Sequence, residues 1–224
     1  MQADSRRNSH DQRGLTLVEL IVTTLLLGIV MAICVQVFIT IGRTVTTTDQ
    51  SSQNTDQARL AVQQIDRQIR SGNVLYDPLK EGLLADGVTP DPVAVAAGIN
   101  PGFAIRVYTQ ANGDQRCVQW RITKSTPGVK DGVLQTRSWS EAWVYDGDVS
   151  GWRNVAENLL TLTGSPAFTI DTSVADFGGR LINIDVRVNA DPAHQKTVQF
   201  TSSVTGRNTE YGYSQSICSS IPPA

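Results

Sequence analysis

An apolar run from Leu15 to Ile41 constrains this chain more than any other feature of its 224 residues. Glu19 is the one charge inside the run, and the other polar positions are threonines and Gln36. A helix of that length, rising about 1.5 Å per residue, exceeds the roughly 30 Å thickness of bilayer hydrocarbon. The run is too long for the apolar stretch of a secretory signal, and no small-residue cleavage site follows it. The segment before it, Met1 to Gly14, carries Arg6, Arg7 and Arg13 against Asp4 and Asp11. The excess of arginine predicts a cytoplasmic N-terminus, with the remainder of the chain on the far side of the membrane.

Helical character continues beyond Arg43. Between Thr55 and Ser71 the apolar residues Ala58, Ala61, Val62, Ile65 and Ile69 recur at spacings of three and four, while Arg59, Gln63, Asp66, Arg67 and Arg70 fall largely off that stripe. No proline interrupts Leu15 to Gly72, and Gly72 is a natural stop. The sequence therefore predicts one long helix, weakest at Thr44 to Thr48, where β-branched residues crowd together.

The prolines and several glycines between Tyr76 and Pro101 predict an irregular connection. Strands are expected at Phe103–Thr109 and Gln115–Thr123, flanking an Asn112-Gly113 turn, and at Val133–Trp139, Ala142–Tyr145, Leu159–Thr163 and Ala167–Ile170. The plainest alternation comes last. Ile182, Ile184, Val186 and Val188 interleave with Asn183, Asp185 and Arg187, and Val198 and Phe200 continue the pattern in Lys196–Val204. The tail from Ser214 to Ala224 reads as irregular. The expected fold class is α+β, a long helix covering the apolar face of an antiparallel sheet. By segments, this gives a leader at 1–14, a membrane helix at 15–42, an amphipathic helix at 43–72 and an exported β-rich domain at 73–224.

The string Gly14-Leu15-Thr16-Leu17-Val18-Glu19-Leu20 resembles the prepilin peptidase site of type IV pilins and type II secretion pseudopilins. In that family a short basic leader ends in Gly, an apolar residue follows, and a glutamate stands fifth in the mature chain. The resemblance implies cleavage between Gly14 and Leu15 and N-methylation of Leu15, which stands where the family usually has Phe. It implies that Glu19 sets register by pairing with the terminal amine of a neighbouring subunit. A carboxylate inside an apolar helix costs roughly 2.5–3.5 kcal/mol on insertion scales, which favours such a partner over none. Loss of the leader's three arginines and two aspartates changes the formal charge from −2 to −3.

Gln57-Ala58-Arg59, Ile65 to Arg70, and Val204 to Asn208 look like segments of PulJ/PilW-type minor pilins. The resemblance implies a non-enzymatic subunit that initiates or caps a type IV pilus or type II secretion pseudopilus. Its implied partners are other pilin or pseudopilin subunits, the prepilin peptidase, an inner-membrane platform and a cytoplasmic ATPase. Two rivals remain open: a signal-anchored β-domain that binds a sugar or peptide, and a major pilin.

Of three cysteines, Cys34 lies in the apolar run. Export would let Cys117 and Cys218 pair in an oxidising compartment; the alternative is two buried thiols. Tyr145 to Gly151 spaces its aspartates as calcium loops do but has no later bidentate glutamate, and a turn explains the same residues. His10 and His194 form no triad or zinc pattern, no phosphate loop is present, and no cofactor is expected. Trp120, Trp139, Trp143 and Trp152 fit a core and interface better than a sugar platform. The mildly acidic balance gives no basic face for nucleic acid.

Overall fold

The computed structural model describes residues 16–84, 86–96, 98–110, 113–123, 131–162, 164–173, 179–191, 196–206, 213–214 and 216–223. Two compact units divide the chain, the first ending at Thr47 and the second beginning at Thr48. One helix, α1 (Leu17–Arg70), runs through both.

In the first unit, α1 is exposed along its apolar side chains, from Leu17 and Val18 to Ile39 and Ile41. Its polar residues are handled locally. Thr23, Thr24 and Thr40 donate their hydroxyls to the carbonyls of Leu20, Ile21 and Gln36 at 3.0, 3.0 and 2.9 Å. A hydroxyl bonded back to its own helix carries little polarity into an apolar surrounding. The same device holds the threonine run: Thr44 and Thr47 donate to Thr40 and Arg43, so the helix passes through its weakest stretch unbroken.

In the second unit the stripe predicted from spacing is buried: Ala58, Ala61, Ile65 and Ile69 are at most 1% exposed and Val62 is 9% exposed. Leu60, off the stripe, is 64% exposed. The helix packs on the inner face of an eight-stranded antiparallel sheet formed by β1 (Gly72–Leu75), β2 (Ala104–Thr109), β3 (Arg116–Ile122), β4 (Gly132–Trp139), β5 (Arg153–Leu160), β6 (Phe168–Asp171), β7 (Leu181–Asp191) and β8 (Lys196–Thr205). The order is β1-β2-β3-β4-β5-β7-β6, with β8 also paired to β7. β5 meets β7 at Val188 and Arg187, whereas β6 meets its beginning, from Leu181 to Ile184. The sheet curls until Gly206, just past β8, reaches β1: a Cβ on Gly206 would lie 2.7 Å from Leu75 Cδ1. Gly72 is needed for the same reason, because a Cβ there would meet Val107 Cγ2 at 2.6 Å. It opens β1 directly after the helix.

Alternation sorts the strands into two faces. Ile105, Val107, Val118, Trp120, Ile122 and Leu134 face α1 in the main core, with Ile182, Ile184, Val186 and Val188 of β7. On the opposite face Val74, Tyr108, Cys117 and Trp139 form a second cluster, which Cys218 completes. Cys117 and Cys218 are joined by a disulfide that closes a loop of 101 residues.

Two expectations need correction, and one short strand adds to them. Ala142–Tyr145 is not a strand. Trp143–Asp146 forms a helical turn (α3), ended by Gly147 in the left-handed region at φ 68°. Leu159–Thr163 marks only the end of β5, which begins at Arg153. Asn158 there has φ 60°, and the register slips between Gly132↔Leu159 and Leu134↔Ala156. That bulge puts Ala156 and Leu159 on the buried face three residues apart, so the two-residue period disappears. β1 escaped notice because four residues are too few to show alternation. The 76–101 connection is mostly irregular, as expected, with a 3₁₀ turn at Pro78–Lys80 capped by Asp77 and a short helix at Pro92–Ala96 (α2).

Candidate functional site: the start of the apolar helix

Gly14 and Leu15, the expected cleavage pair, lie outside the described residues, as do His10 and His194. The description begins at Thr16, and Thr16 has a definite job. Its Oγ1 accepts the Glu19 backbone N–H at 3.3 Å, and its carbonyl accepts the Leu20 N–H at 3.2 Å. These are the bonds of a helix N-cap, which satisfies donors that the first turn leaves orphaned. Thr16-Leu17-Val18-Glu19 has the spacing of a capping box, a signal present in the sequence that the pilin resemblance overshadowed.

Glu19 therefore sits in the first turn of α1, where the helix dipole favours a carboxylate. Its residue is exposed. From Leu20 to Gly42 no charged residue follows, and α1 is long and apolar enough to cross a membrane. The site is thus an acid at the entrance of an apolar helix, four residues after Leu15 in the sequence. Among the described residues no group of three His, Cys, Asp or Glu side chains is placed to hold a metal.

The second polar constellation lies on the outer face of the sheet. Arg106, Gln119 and Arg137 occupy matched positions on β2, β3 and β4. They surround Glu81, whose carboxylate accepts from Arg106 Nη2 at 2.9 Å and from Gln119 Nε2 at 3.0 Å. Burial pushes the Glu81 carboxyl above its ordinary value, against the pull of Arg106, Gln119 and Arg137. Arg121 and Arg137 approach the Trp152 ring at 3.7 and 4.4 Å, and burial lowers both guanidiniums to about 10. Sequence reasoning missed this network. Its trace is the polar residue at every second position, Gln119 and Arg121 on β3 and Gln135 and Arg137 on β4.

The aspartates once weighed as a calcium loop serve local structure. Asp146 accepts from Ser140 Oγ and from the Asp148 N–H, and Asp148 forms a bidentate pair with Arg116 at 2.7 and 2.9 Å. Of the tryptophans, Trp120 and Trp139 are fully buried, and Trp120 Nε1 donates to Gln68 Oε1 at 2.6 Å.

No curated protein and no solved structure matches the chain. Residues 9–35 match the family model of the prokaryotic N-terminal methylation motif, and this match brackets Gly14, Leu15, Glu19 and most of the apolar run. Members carrying the motif are structural subunits rather than enzymes. The matched motif covers the start of α1, a helix long and apolar enough to cross a membrane.

Proposed function

We propose that this chain is a minor pilin or pseudopilin, cut between Gly14 and Leu15, methylated on Leu15 and built into the beginning or tip of a type IV pilus or type II secretion pseudopilus. The observation that carries the reading is the coincidence of the methylation motif with Glu19 as the last charge before a membrane-length apolar helix. Cleavage leaves an α-amine on Leu15, four residues before Glu19. In a bundle of such helices the amine of one subunit neutralises Glu19 of the next. Each charge alone in low dielectric is costly, so the pair rewards one register and penalises others. The apolar helix serves first as membrane anchor, with its N-terminus in the cytoplasm, and then as filament core. The exported β-domain selects neighbouring subunits. A cytoplasmic ATPase and a membrane platform supply the work of assembly.

Two substitutions separate processing from assembly. Gly14→Asp is expected to leave the full precursor in membranes wherever prepilin peptidase is active. Glu19→Gln is expected to be cut normally yet to enter filaments at least tenfold less often. A Gly14→Asp chain that is shortened like the parent overturns the processing step. Normal incorporation of Glu19→Gln overturns the register role.

A further inference from the structure

The described tail residues, 213–214 and 216–223, lie across the outer face of the sheet, turn at 216–218 and are held largely through their backbone. Arg106 Nη1 donates to the Cys218 carbonyl at 2.6 Å, Trp143 Nε1 to that of Ser220 at 3.1 Å, and Arg137 Nη1 to that of Pro223 at 2.9 Å. The Cys218 N–H donates to the Tyr76 hydroxyl at 3.0 Å, and the Tyr213 ring meets Tyr108 edge-on with centroids 5.5 Å apart. The donors are held in place from behind. Arg106 stacks on Tyr76 at 4.0 Å and pairs with Glu81, while Arg137 is fixed by Gln119 Oε1. Side chains that read the carbonyls of Cys218, Ser220 and Pro223 make a groove for a peptide backbone, here filled by the chain itself.

Magnitudes decide what keeps the tail there. Fixing the backbone of one residue costs roughly a five- to thirty-fold factor in population. A side-chain-to-backbone hydrogen bond returns roughly two- to ten-fold net. Of the ten described tail residues only Cys218 and Pro222 are buried, with Tyr213 and Ile217 partly buried against the second cluster, so apolar burial offsets only part of the ordering cost. The covalent link at Cys218 is the remaining restraint, and both of its cysteines are fully buried.

From this balance we infer that the outer face is a peptide groove whose occupant, residues 216–223, is retained by the Cys117–Cys218 disulfide, so that oxidation closes the face and the dithiol form leaves it open. Closure transfers two electrons and two protons from the two thiols to an oxidised dithiol carrier of the thiol–disulfide exchange class. The carrier leaves reduced, and one S–S bond forms within the chain.

Hydrogen exchange on the full chain in detergent, with Cys34→Ser to remove the third thiol, tests the latch. In the added Cys117→Ser/Cys218→Ser background, the tail amides and that of Cys218 are expected to exchange at least a hundredfold faster, while β7 and β8 keep their protection. A tail that stays protected overturns the inference, and so does loss of protection throughout the sheet. A peptide of residues 213–223, carrying Cys218 as its thionitrobenzoate disulfide, then tests the groove. Added to the Cys34→Ser/Cys218→Ser chain, it is expected to be captured by Cys117 at least tenfold faster than a scrambled peptide with the same cysteine. Equal rates overturn the groove.

Discussion

Gln68 and Glu81 show how single polar residues hold this domain together from opposite sides of one sheet. Gln68, on the buried side of α1, accepts the Trp120 indole N–H and is itself 5% exposed. Gln68→Ala leaves that donor buried without an acceptor, and chemical denaturation should show a loss of about 1–3 kcal/mol. Glu81 is the anion of the outer network. Glu81→Ala strands Arg106 and should cost about 3–5 kcal/mol. Its pH dependence has a definite sign. Burial holds the folded carboxyl above the unfolded one, so between the two values the folded chain binds more protons. The penalty for ionising Glu81 is absent below the unfolded value and fully present above the folded one. Its contribution therefore makes the domain less stable as pH rises through that window. Unfolding measured from pH 4 to 8 should lose this component in Glu81→Gln. An unchanged pH profile contradicts the assignment.

Among the elements, α1 was legible because two different periods of apolarity lie on one uninterrupted helix. The continuous run to Ile41 and the three-four spacing from Ala58 to Ile69 come from surroundings of different polarity, and each leaves its own pattern. The β7–β8 hairpin was legible for the corresponding reason, with register running from Leu181↔Thr205 to Asn189↔Thr197 and one face inward. Where a pattern was misleading, local backbone overrode it. Gly147 turns Trp143–Asp146 into a helical turn, and the Asn158 bulge erases alternation from β5. The stripe itself makes a prediction. Ile65→Ala should destabilise the domain by about 2–5 kcal/mol, because its site is fully enclosed. Leu60→Ala, on the exposed side, should change stability by less than about 0.5 kcal/mol. Equal losses in thermal unfolding contradict packing through that face.

At the scale of the whole molecule, the part of the sequence most informative about function is the short motif at the start of its apolar run. On the proposed reading Gly14, Leu15 and Glu19 are read by a peptidase or a neighbouring helix, and a short motif suffices to record that. The outer face was illegible for the opposite reason. Its pieces come from Glu81, three strands and a tail more than a hundred residues from its partner cysteine, and only the folded sheet aligns them. The pairing of Arg106 with Gln119, and of Gln119 with Arg137, follows from strand register, which no local pattern reports. The central claim, that the chain is a prepilin peptidase substrate assembled as a pilin-like subunit, rests on the other end of the sequence. Intact mass and N-terminal sequencing of the protein recovered from membranes of cells with active prepilin peptidase test it most directly. The account predicts a chain beginning at Leu15, with a methyl group on its amine. A chain that still begins with Met1 and retains Gly14 contradicts it.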